Sequence, residues 1–193
     1  MQIVLASTSR YRQEIIARLG LPFHAEPPVC DETPLPGETA LETAVRLART
    51  KAQSLAEKHP QALIIGSDQV ALLDGQQIGK PGSFDNGVKM LQWMSGRTVV
   101  FHSALALYNS AERRLQEAVG ITRVTLRALS DAQIRNYLER EPDALHCAGS
   151  AKSEGLGGAL LERVESDDPN ALIGVPLFKL ITMLANEGVE ILQ

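Results

Sequence analysis

The sequence predicts an α/β fold, a mixed and twisted sheet flanked by helices with a deep cleft between two lobes. Short apolar runs typical of strands alternate with amphipathic helical segments. Polar residues fall where strands end and helices begin, which is where open α/β sheets bind their ligands. No internal repeat, low-complexity tract or linker divides the chain. We therefore expect a single domain over residues 1–193.

Composition and charge exclude several classes of protein. The chain is 44% hydrophobic and 22% charged, with a formal net charge of -4, which argues against a partner that is a nucleic-acid polymer. No apolar run is long enough to span a bilayer, so we expect no membrane association. Cys30 and Cys147 lack the spacing of a metal site, and we expect no secretory leader. Free thiols in the cytoplasm are the expectation.

The first element is a strand over residues 3–6, followed by a hydroxyl-rich turn and a helix that ends at Gly20. Ser9 is placed to cap this helix. The free backbone N–H groups of the first turn favour an anion, and Ser7 and Arg12 lie beside them. The alternative is an ordinary capped helix with a surface arginine.

A short strand over residues 21–26 and a loop rich in proline and acid over residues 27–37 come next. The loop carboxylates, Glu32 among them, are either solvated charges or metal ligands. A capping box formed by Thr39 and Glu42 then begins a helix that extends to about His59.

Lys51 lies within this helix, about 80° from the centre of its apolar stripe. This angle puts the side chain on the border between the apolar and polar faces. A lysine there either extends its ammonium group to solvent or reaches over a cavity beside the core.

The central stretch, residues 63–84, has the most suggestive pattern in the chain. An apolar strand over residues 62–65 ends just before Asp68, and Asp74-Gly75 predicts a hairpin turn. Lys80 follows the hairpin. The carboxylate of Asp68 and the ammonium group of Lys80 suit a site for phosphate and a metal ion. The alternative is that the two residues form an ordinary ion pair on the surface.

The remaining elements are predicted from caps, apolar runs and turn residues. They are a helix capped by Asp85 and ended by Gly96, strands over 98–107 and 123–127, a helix from Ser130 to about Arg140, a strand over 160–164, a helical region from Asp168 that resumes over 177–184, and a last strand over 189–192.

Carboxylates and cations together predict a site for phosphate and a hard divalent ion, Mg²⁺ or Mn²⁺. No cluster of the zinc type, Walker A sequence or dinucleotide fingerprint is present in the sequence. The polar positions in question are Ser7, Ser9, Arg12, Glu32, Lys51, Asp68, Lys80, Lys152 and Glu154.

Six motifs, in order along nearly the whole chain, resemble the Maf family of nucleoside triphosphate pyrophosphatases. They are LASTSRYR (5–12), DET (31–33), ARTKA (48–52), IIGSDQV (64–70), GKP (79–81) and CAGSAKSEG (147–155). One departure is Arg10, where the family commonly has proline. The resemblance implies a fold like that of inosine triphosphate pyrophosphatase. It also implies hydrolysis of a nucleoside triphosphate between its α and β phosphates.

The resemblance also implies roles for individual residues. Asp68 would be the general base that activates water, and Glu32 and Asp68 would be ligands of the divalent metal. The phosphates would be bound by Ser7, Arg12, Lys51 and Lys80. Such a cage suits phosphoryl transfer, which needs positioned charge more than covalent chemistry.

At three further positions the residue types resemble those of the family branch that acts on 7-methyl-GTP. They are Tyr11, Gln69 and Glu154. An aromatic face can stack on the positively charged methylated base, and a glutamate can accept from its N–H edge. Tyr11 departs from the tryptophan expected there. The branch acting on dTTP and UTP tends instead to have arginine at that position.

Other interpretations stay open. The same pocket would serve a nucleotide-binding regulator linked to cell-division arrest, or a dTTP and UTP pyrophosphatase. An unrelated α/β phosphatase would release orthophosphate instead of pyrophosphate. The resemblance implies a house-cleaning role against modified nucleotides, a small-molecule nucleotide as partner and a homodimer, since family members are often dimers.

Overall fold

The computed structural model describes residues 1–192 and has five α-helices and seven strands in those residues. In chain order they are β1 (Gln2–Ala6), α1 (Arg10–Ala17), β2 (His24–Glu26), α2 (Ala40–Gln53), β3 (Ala62–Leu73), β4 (Gln76–Ile78), α3 (Phe84–Met94), β5 (Thr98–Asn109), β6 (Arg114–Leu126), α4 (Asp131–Arg140), β7 (Leu161–Ser166) and α5 (Leu177–Asn186).

All seven strands belong to one sheet, in the order β2-β1-β3-β5-β6-β7, with β4 paired to β3 outside this path. β1 pairs in parallel with both β2 and β3, whereas the β3–β4 and β6–β7 pairs are antiparallel. The sheet is therefore mixed, and the predicted α/β class is confirmed.

The chain forms two compact units, which share strands β3, β5 and β6. The first contains residues 1–69, 102–121 and the chain from Asp167 onward, and the second contains Val70–Phe101 and Thr122–Ser166. The core of the first unit includes buried residues of β1, β3, β5 and α5, among them Leu5, Ile65, Leu105 and Leu180. In the second unit, α3 packs against α4. The single domain over residues 1–193 stays a prediction.

Local signals in the sequence predicted several elements correctly. Ser9 caps α1, and capping boxes at Thr39 and Ser130 begin α2 and α4. The β3–β4 turn lies at Asp74-Gly75, whose φ angles are 48° and 79°. Positive φ at both central residues is the feature that the Asp-Gly pair predicts.

Several boundary predictions were wrong. Strand β3 does not end at residue 65 but continues to Leu73, and α2 ends at Gln53. Ser83 rather than Asp85 caps α3. Only a short 3₁₀ turn follows Asp168-Pro169, and residues 189–192 form no strand.

No helix within residues 1–192 is both long and apolar enough to cross a membrane.

Candidate active site

A buried lysine lies between two carboxylates in the first unit. The side chain of Lys51, on α2, is only 7% exposed. Its Nζ donates a hydrogen bond to Oδ1 of Asp68 at 2.7 Å and lies 2.8 Å from Oε1 of Glu32. Of the two outcomes considered for Lys51, the structure shows the inward one, with the ammonium group paired.

The charge of Lys51 is set by two opposing effects. Burial by itself lowers the pKa of the ammonium group, but the hydrogen bonds to Asp68 and Glu32 outweigh burial and raise the pKa above its ordinary value. The group is therefore a permanent cation at neutral pH, and its two partners compensate the cost of burying it.

Gly66 allows α2 to approach β3 closely enough for this pairing. A Cβ atom at Gly66 would lie 2.1 Å from the carbonyl oxygen of Ala48 and 2.7 Å from the backbone nitrogen of Ala52. Both atoms belong to α2, on either side of Lys51 in sequence. Only glycine leaves room for the helix backbone here.

The turn between β1 and α1 lies beside the part of β3 that carries Asp68. The parallel register pairs Leu5 with Ile65, so Ser7 and Asp68 follow the paired residues in the same direction on neighbouring strands. Buried Ser7 accepts a hydrogen bond through Oγ from the backbone N–H of Ser9 at 3.1 Å.

Arg12 lies in the first turn of α1, where the Ser9 Oγ accepts from its backbone N–H at 3.4 Å. Burial lowers the pKa of the Arg12 guanidinium, and the nearby charges of Asp68 and Glu32 oppose that change. Arginine stays protonated in either case. Tyr11, in the same turn, is half-buried.

Gln69 has its amide nitrogen fully engaged. Nε2 donates to Oγ of Ser103 at 2.8 Å and to the carbonyl oxygens of Ala171 and Leu172 at 3.0 Å each. An amide NH₂ has two hydrogens, so these three acceptors exhaust it. The carbonyl oxygen Oε1 has no hydrogen-bond partner in the part of the chain that the structure describes.

Buried polar residues behind the site were missed by the sequence interpretation. Ser67 donates through Oγ to the carbonyl oxygen of Gly174 at 2.6 Å. Gly174 has φ 120°, and a Cβ there would lie 3.3 Å from Nε of Arg12. The bare glycine backbone thus supports the arginine. Ser67 is part of the IIGSDQV motif, but its distance from Gly174 in sequence gives no local signal of this contact.

The loop that carries Glu32 is fastened to α2 by a second ion pair. Arg46 donates to Glu38 through Nε at 2.7 Å and through Nη2 at 2.8 Å, and Nη2 also reaches the carbonyl oxygen of Thr33 at 3.1 Å. Glu38 also accepts from the backbone N–H of Leu35 at 3.0 Å. These bonds, led by those from Arg46, lower the pKa of Glu38 to about 2.

Cys30, in the same loop, lies near the charged cluster but does not supply a thiolate. Burial raises the pKa of its thiol, Lys51 opposes the change, and the negative charges of Glu32 and Asp68 add to it. The thiol is therefore neutral at physiological pH.

Lys80 and Glu154 belong to the second unit and are both exposed. Burial raises the pKa of Cys147, Glu154 adds to the change, and Lys152 and Lys80 oppose it. These three charges therefore lie within electrostatic reach of one thiol. Lys152 itself is paired, through Nζ, with Glu141 at 3.0 Å and Asp143 at 3.4 Å.

Tyr137 holds the segment that leads to Glu154. Its hydroxyl donates to the carbonyl oxygen of Ser150 at 2.9 Å and accepts from the backbone N–H of Lys152 at 3.2 Å. Burial raises the pKa of Tyr137 to about 12. The phenol is therefore neutral and performs both functions at once.

Within the first unit, the structure gathers charged groups predicted for the site, namely Arg12, Glu32, Lys51 and Asp68. The roles predicted for these and for the other site residues stay predictions.

Comparisons with known proteins agree along the whole chain. The family model described as "Maf-like protein" matches residues 2–187. A protein of Chromobacterium violaceum named 7-methyl-GTP pyrophosphatase is 87% identical over 193 residues, which is the full length of both chains. Proteins with the same name from Methylobacillus flagellatus and Neisseria meningitidis are 54% identical over 190 residues, 98% of each chain, and 50% identical over 192 residues, 100% of this chain and 98% of the relative.

Among solved structures, the Ham1 protein of Staphylococcus aureus is similar with a TM-score of 0.47 and 17% identity, covering 66% of this chain and 73% of that one. The fold assignment rests on the strands and helices described above and not on this weak similarity.

We expect Gly66→Ala to destabilise the protein by about 1–3 kcal/mol or more, since the added methyl group collides with backbone atoms of α2. Urea unfolding measures the loss. Gly79→Ala is the matched control, because a Cβ there meets nothing within 4 Å. Equal stability of the two variants would contradict the close approach of α2 and β3.

We expect the stabilising effect of Glu38 to depend on pH in the acid range. Its pKa is lowered from the ordinary 4.5 to about 2 in the folded state, so its contribution is full above pH 4.5 and lost as the pH falls towards 2. The difference in unfolding free energy between wild type and Glu38→Gln should shrink over that interval. A constant difference would contradict the assignment, and Glu139→Gln, at an exposed position of α4, serves as control.

Proposed function

The chain belongs to the family of Maf-like proteins, and from this membership we propose that it is a nucleoside triphosphate pyrophosphatase that hydrolyses 7-methyl-GTP to 7-methyl-GMP and pyrophosphate. The substrate is taken from the name of relatives up to 87% identical over the full length. The observation that supports the chemistry is the convergence of Asp68 and Glu32 on the buried cation Lys51.

In the proposed reaction, the oxygen of a water molecule bonds to the α phosphorus. The bond between that phosphorus and the bridging oxygen breaks, and the bridging oxygen leaves with pyrophosphate. Asp68 orients the water and accepts its proton, since it is the carboxylate in this group that a strand and a hydrogen bond from Lys51 both hold in place.

Cations supply the stabilisation that this reaction requires. Negative charge gathers on the phosphate oxygens and on the leaving pyrophosphate, so fixed positive groups lower the barrier. Lys51 and Arg12 provide charges that do not titrate near neutral pH. Ser7 would bind the phosphates from the turn before α1, and we assign Lys80 the same role because the family resemblance implies it.

The carboxylates fit a divalent metal shared with the substrate. Oε1 of Glu32 and Oδ1 of Asp68 both lie within 2.8 Å of one atom, Nζ of Lys51, so their oxygens already converge. No group of three or more His, Cys, Asp or Glu residues suited to a metal occurs within residues 1–192. One or two carboxylates, completed by phosphate oxygens, is the usual arrangement for Mg²⁺, which would neutralise phosphate charge here.

Recognition of the base is assigned to Tyr11, Gln69 and Glu154. A methylated guanine carries a positive charge and stacks favourably on the phenol ring of Tyr11. Glu154 accepts from the N–H groups of the base edge. The partner-free oxygen of Gln69 can accept as well, because the nitrogen of the same amide is fully engaged elsewhere.

We place this activity in the cytoplasm as a house-cleaning reaction on modified nucleotides. The free thiols of Cys30 and Cys147 accord with a reducing compartment. The homodimer stays a prediction that light scattering of the purified protein can test.

A nucleotide panel tests the proposal directly. With Mg²⁺ or Mn²⁺ present, we expect 7-methyl-GTP to be hydrolysed well ahead of GTP, dTTP and UTP, with pyrophosphate as product and activity lost on chelation. Preference for dTTP would assign the chain to the other branch. Release of orthophosphate would indicate a phosphatase, and binding without turnover a regulatory protein.

Asp68→Asn isolates the role of the general base. The amide keeps an oxygen that can accept from Lys51, so we expect normal folding, while kcat falls by about 10²–10⁴-fold because the proton acceptor is gone. Asp74→Asn, at the exposed hairpin turn of the same strand pair, is the control and should keep full activity. Near-normal turnover in Asp68→Asn would remove Asp68 from the mechanism.

A further inference from the structure

A turn over residues 171–174, in the first unit, is held by polar side chains of the sheet. The carbonyl oxygen of Ala171 accepts from Oγ of Ser103, on β5, at 2.6 Å. It also accepts from Nε2 of Gln69, on β3, at 3.0 Å. The first residue of the turn is therefore joined by hydrogen bonds to two neighbouring strands.

Ser67 holds the last residue of the same turn. Its Oγ donates to the carbonyl oxygen of Gly174 at 2.6 Å, and the serine side chain is completely buried. A buried carbonyl that loses its donor is costly, so the bond constrains the position of the Gly174 backbone.

The side chain of Arg12 packs against this backbone. A Cβ atom at Gly174 would lie 3.3 Å from Nε and 3.7 Å from Cγ of Arg12. Gly174 also has φ 120°, a value that residues with a side chain rarely adopt. The surface beside the arginine is therefore bare backbone, and Ser67 holds that backbone in place.

No bonded partner within the described chain fixes the direction of the Arg12 guanidinium. The group forms no hydrogen bond or ion pair with any of residues 1–192, and Asp68 and Glu32 are only within electrostatic reach of it. A planar guanidinium binds two oxygens of a phosphate only when its N–H groups point the right way. Packing against Gly174 is therefore a main constraint on that direction.

Strand β3 connects this support with the carboxylate of the site. Ser67 and Asp68 are consecutive residues of β3, and successive side chains of a strand point to opposite faces. Asp68 bonds Lys51 on α2, whereas Ser67 bonds Gly174. One short stretch of strand thus fixes both the carboxylate proposed to orient the water and the backbone that supports the phosphate arginine.

We propose that Ser67 is a positioning residue, which directs the guanidinium group of Arg12 towards the phosphates through the backbone of Gly174. The inference rests on the proposed function, because that function assigns Arg12 to the phosphates. Ser67 is completely buried, so it acts through the arginine and not by touching the nucleotide. All three residues belong to the first unit.

A double-mutant cycle on kcat/KM for 7-methyl-GTP tests the inference. We expect Ser67→Ala to lower kcat/KM about tenfold, because a displaced guanidinium loses a charged hydrogen bond to phosphate. In the Arg12→Ala background the same substitution should have no further effect, since the group that it displaces is gone. If the two losses instead multiply in the double variant, Ser67 acts independently of Arg12 and the inference is wrong.

Ser110→Ala is the matched control for general destabilisation. Ser110 also lies in the first unit, and its Oγ donates to the carbonyl oxygen of His59 at 2.5 Å, so the substitution removes a comparable bond. We expect a similar loss of stability in urea and an unchanged kcat/KM. A tenfold lower kcat/KM in Ser110→Ala would overturn the specific role of Ser67.

Ser67→Cys is the conservative variant and also serves if Ser67→Ala does not fold. A thiol keeps a weak donor at the same position, so we expect a kcat/KM between those of wild type and Ser67→Ala. A kcat/KM in Ser67→Cys equal to that of wild type, with no loss in Ser67→Ala either, would contradict the inference.

Binding of inorganic triphosphate gives a readout that does not depend on turnover. This anion has phosphates but no base, and calorimetry without divalent metal measures its Kd. We expect Ser67→Ala to raise that Kd about fivefold, a smaller change than in kcat/KM because the transition state depends more strictly on direction. Ser110→Ala should leave the Kd unchanged, and the effect of Ser67→Ala should vanish in the Arg12→Ala background.

The failures of the two proposals differ. Hydrolysis of 7-methyl-GTP by wild type, with kcat/KM and triphosphate Kd both unchanged in Ser67→Ala, would overturn the role of Ser67 and leave the proposed function standing. If wild type does not hydrolyse 7-methyl-GTP but triphosphate binding depends on Ser67 through Arg12, the proposed function fails and the positioning of Arg12 stands. If neither result is obtained, both proposals fail.

Discussion

The ion pair of Lys51 with Asp68 and Glu32 is the interaction on which the candidate site depends. An ammonium group that is almost fully buried is unfavourable unless opposite charges stand against it, and here they come from a strand and from a loop. The loop can supply Glu32 because Glu38 and Arg46 fasten it to the same helix. The strand can supply Asp68 at hydrogen-bond distance because Gly66 has no side chain. Removing either support would leave Lys51 with one carboxylate partner instead of two.

What the sequence predicted well is what short-range chemistry determines. Capping residues bond within one helical turn and the Asp-Gly pair sets its own backbone angles, so these features are readable from a few neighbouring letters. Gly66 was interpreted as the end of a strand, whereas its function is to admit α2 while β3 continues. Asp168 was taken to begin a helix. It instead accepts through Oδ2 from the backbone N–H of Phe178 at 2.7 Å, ten residues later, which no local pattern reveals.

In the candidate site, too, local patterns indicated some residues and missed others. Motifs and strand ends indicated the charged residues of the site, yet the helical angle of Lys51 left two outcomes open, and only the position of β3 decided between them. The buried supports, Ser67, Ser103 and Gly174, bond to residues far away in sequence. Serines and glycines are common throughout any chain. Residue type alone therefore could not distinguish these three supports from the other serines and glycines.

The engagement of Gln69 has a consequence for molecular discrimination. Side-chain amides in proteins can usually rotate by half a turn and exchange the positions of their nitrogen and oxygen. An amide of this kind can therefore bind either a donor or an acceptor on a ligand. Here three acceptors hold the nitrogen, so reversal would set oxygen against oxygen. The oxygen end is therefore locked as an acceptor. In the role that we propose for Gln69, a base that presents a lone pair at that point would be repelled.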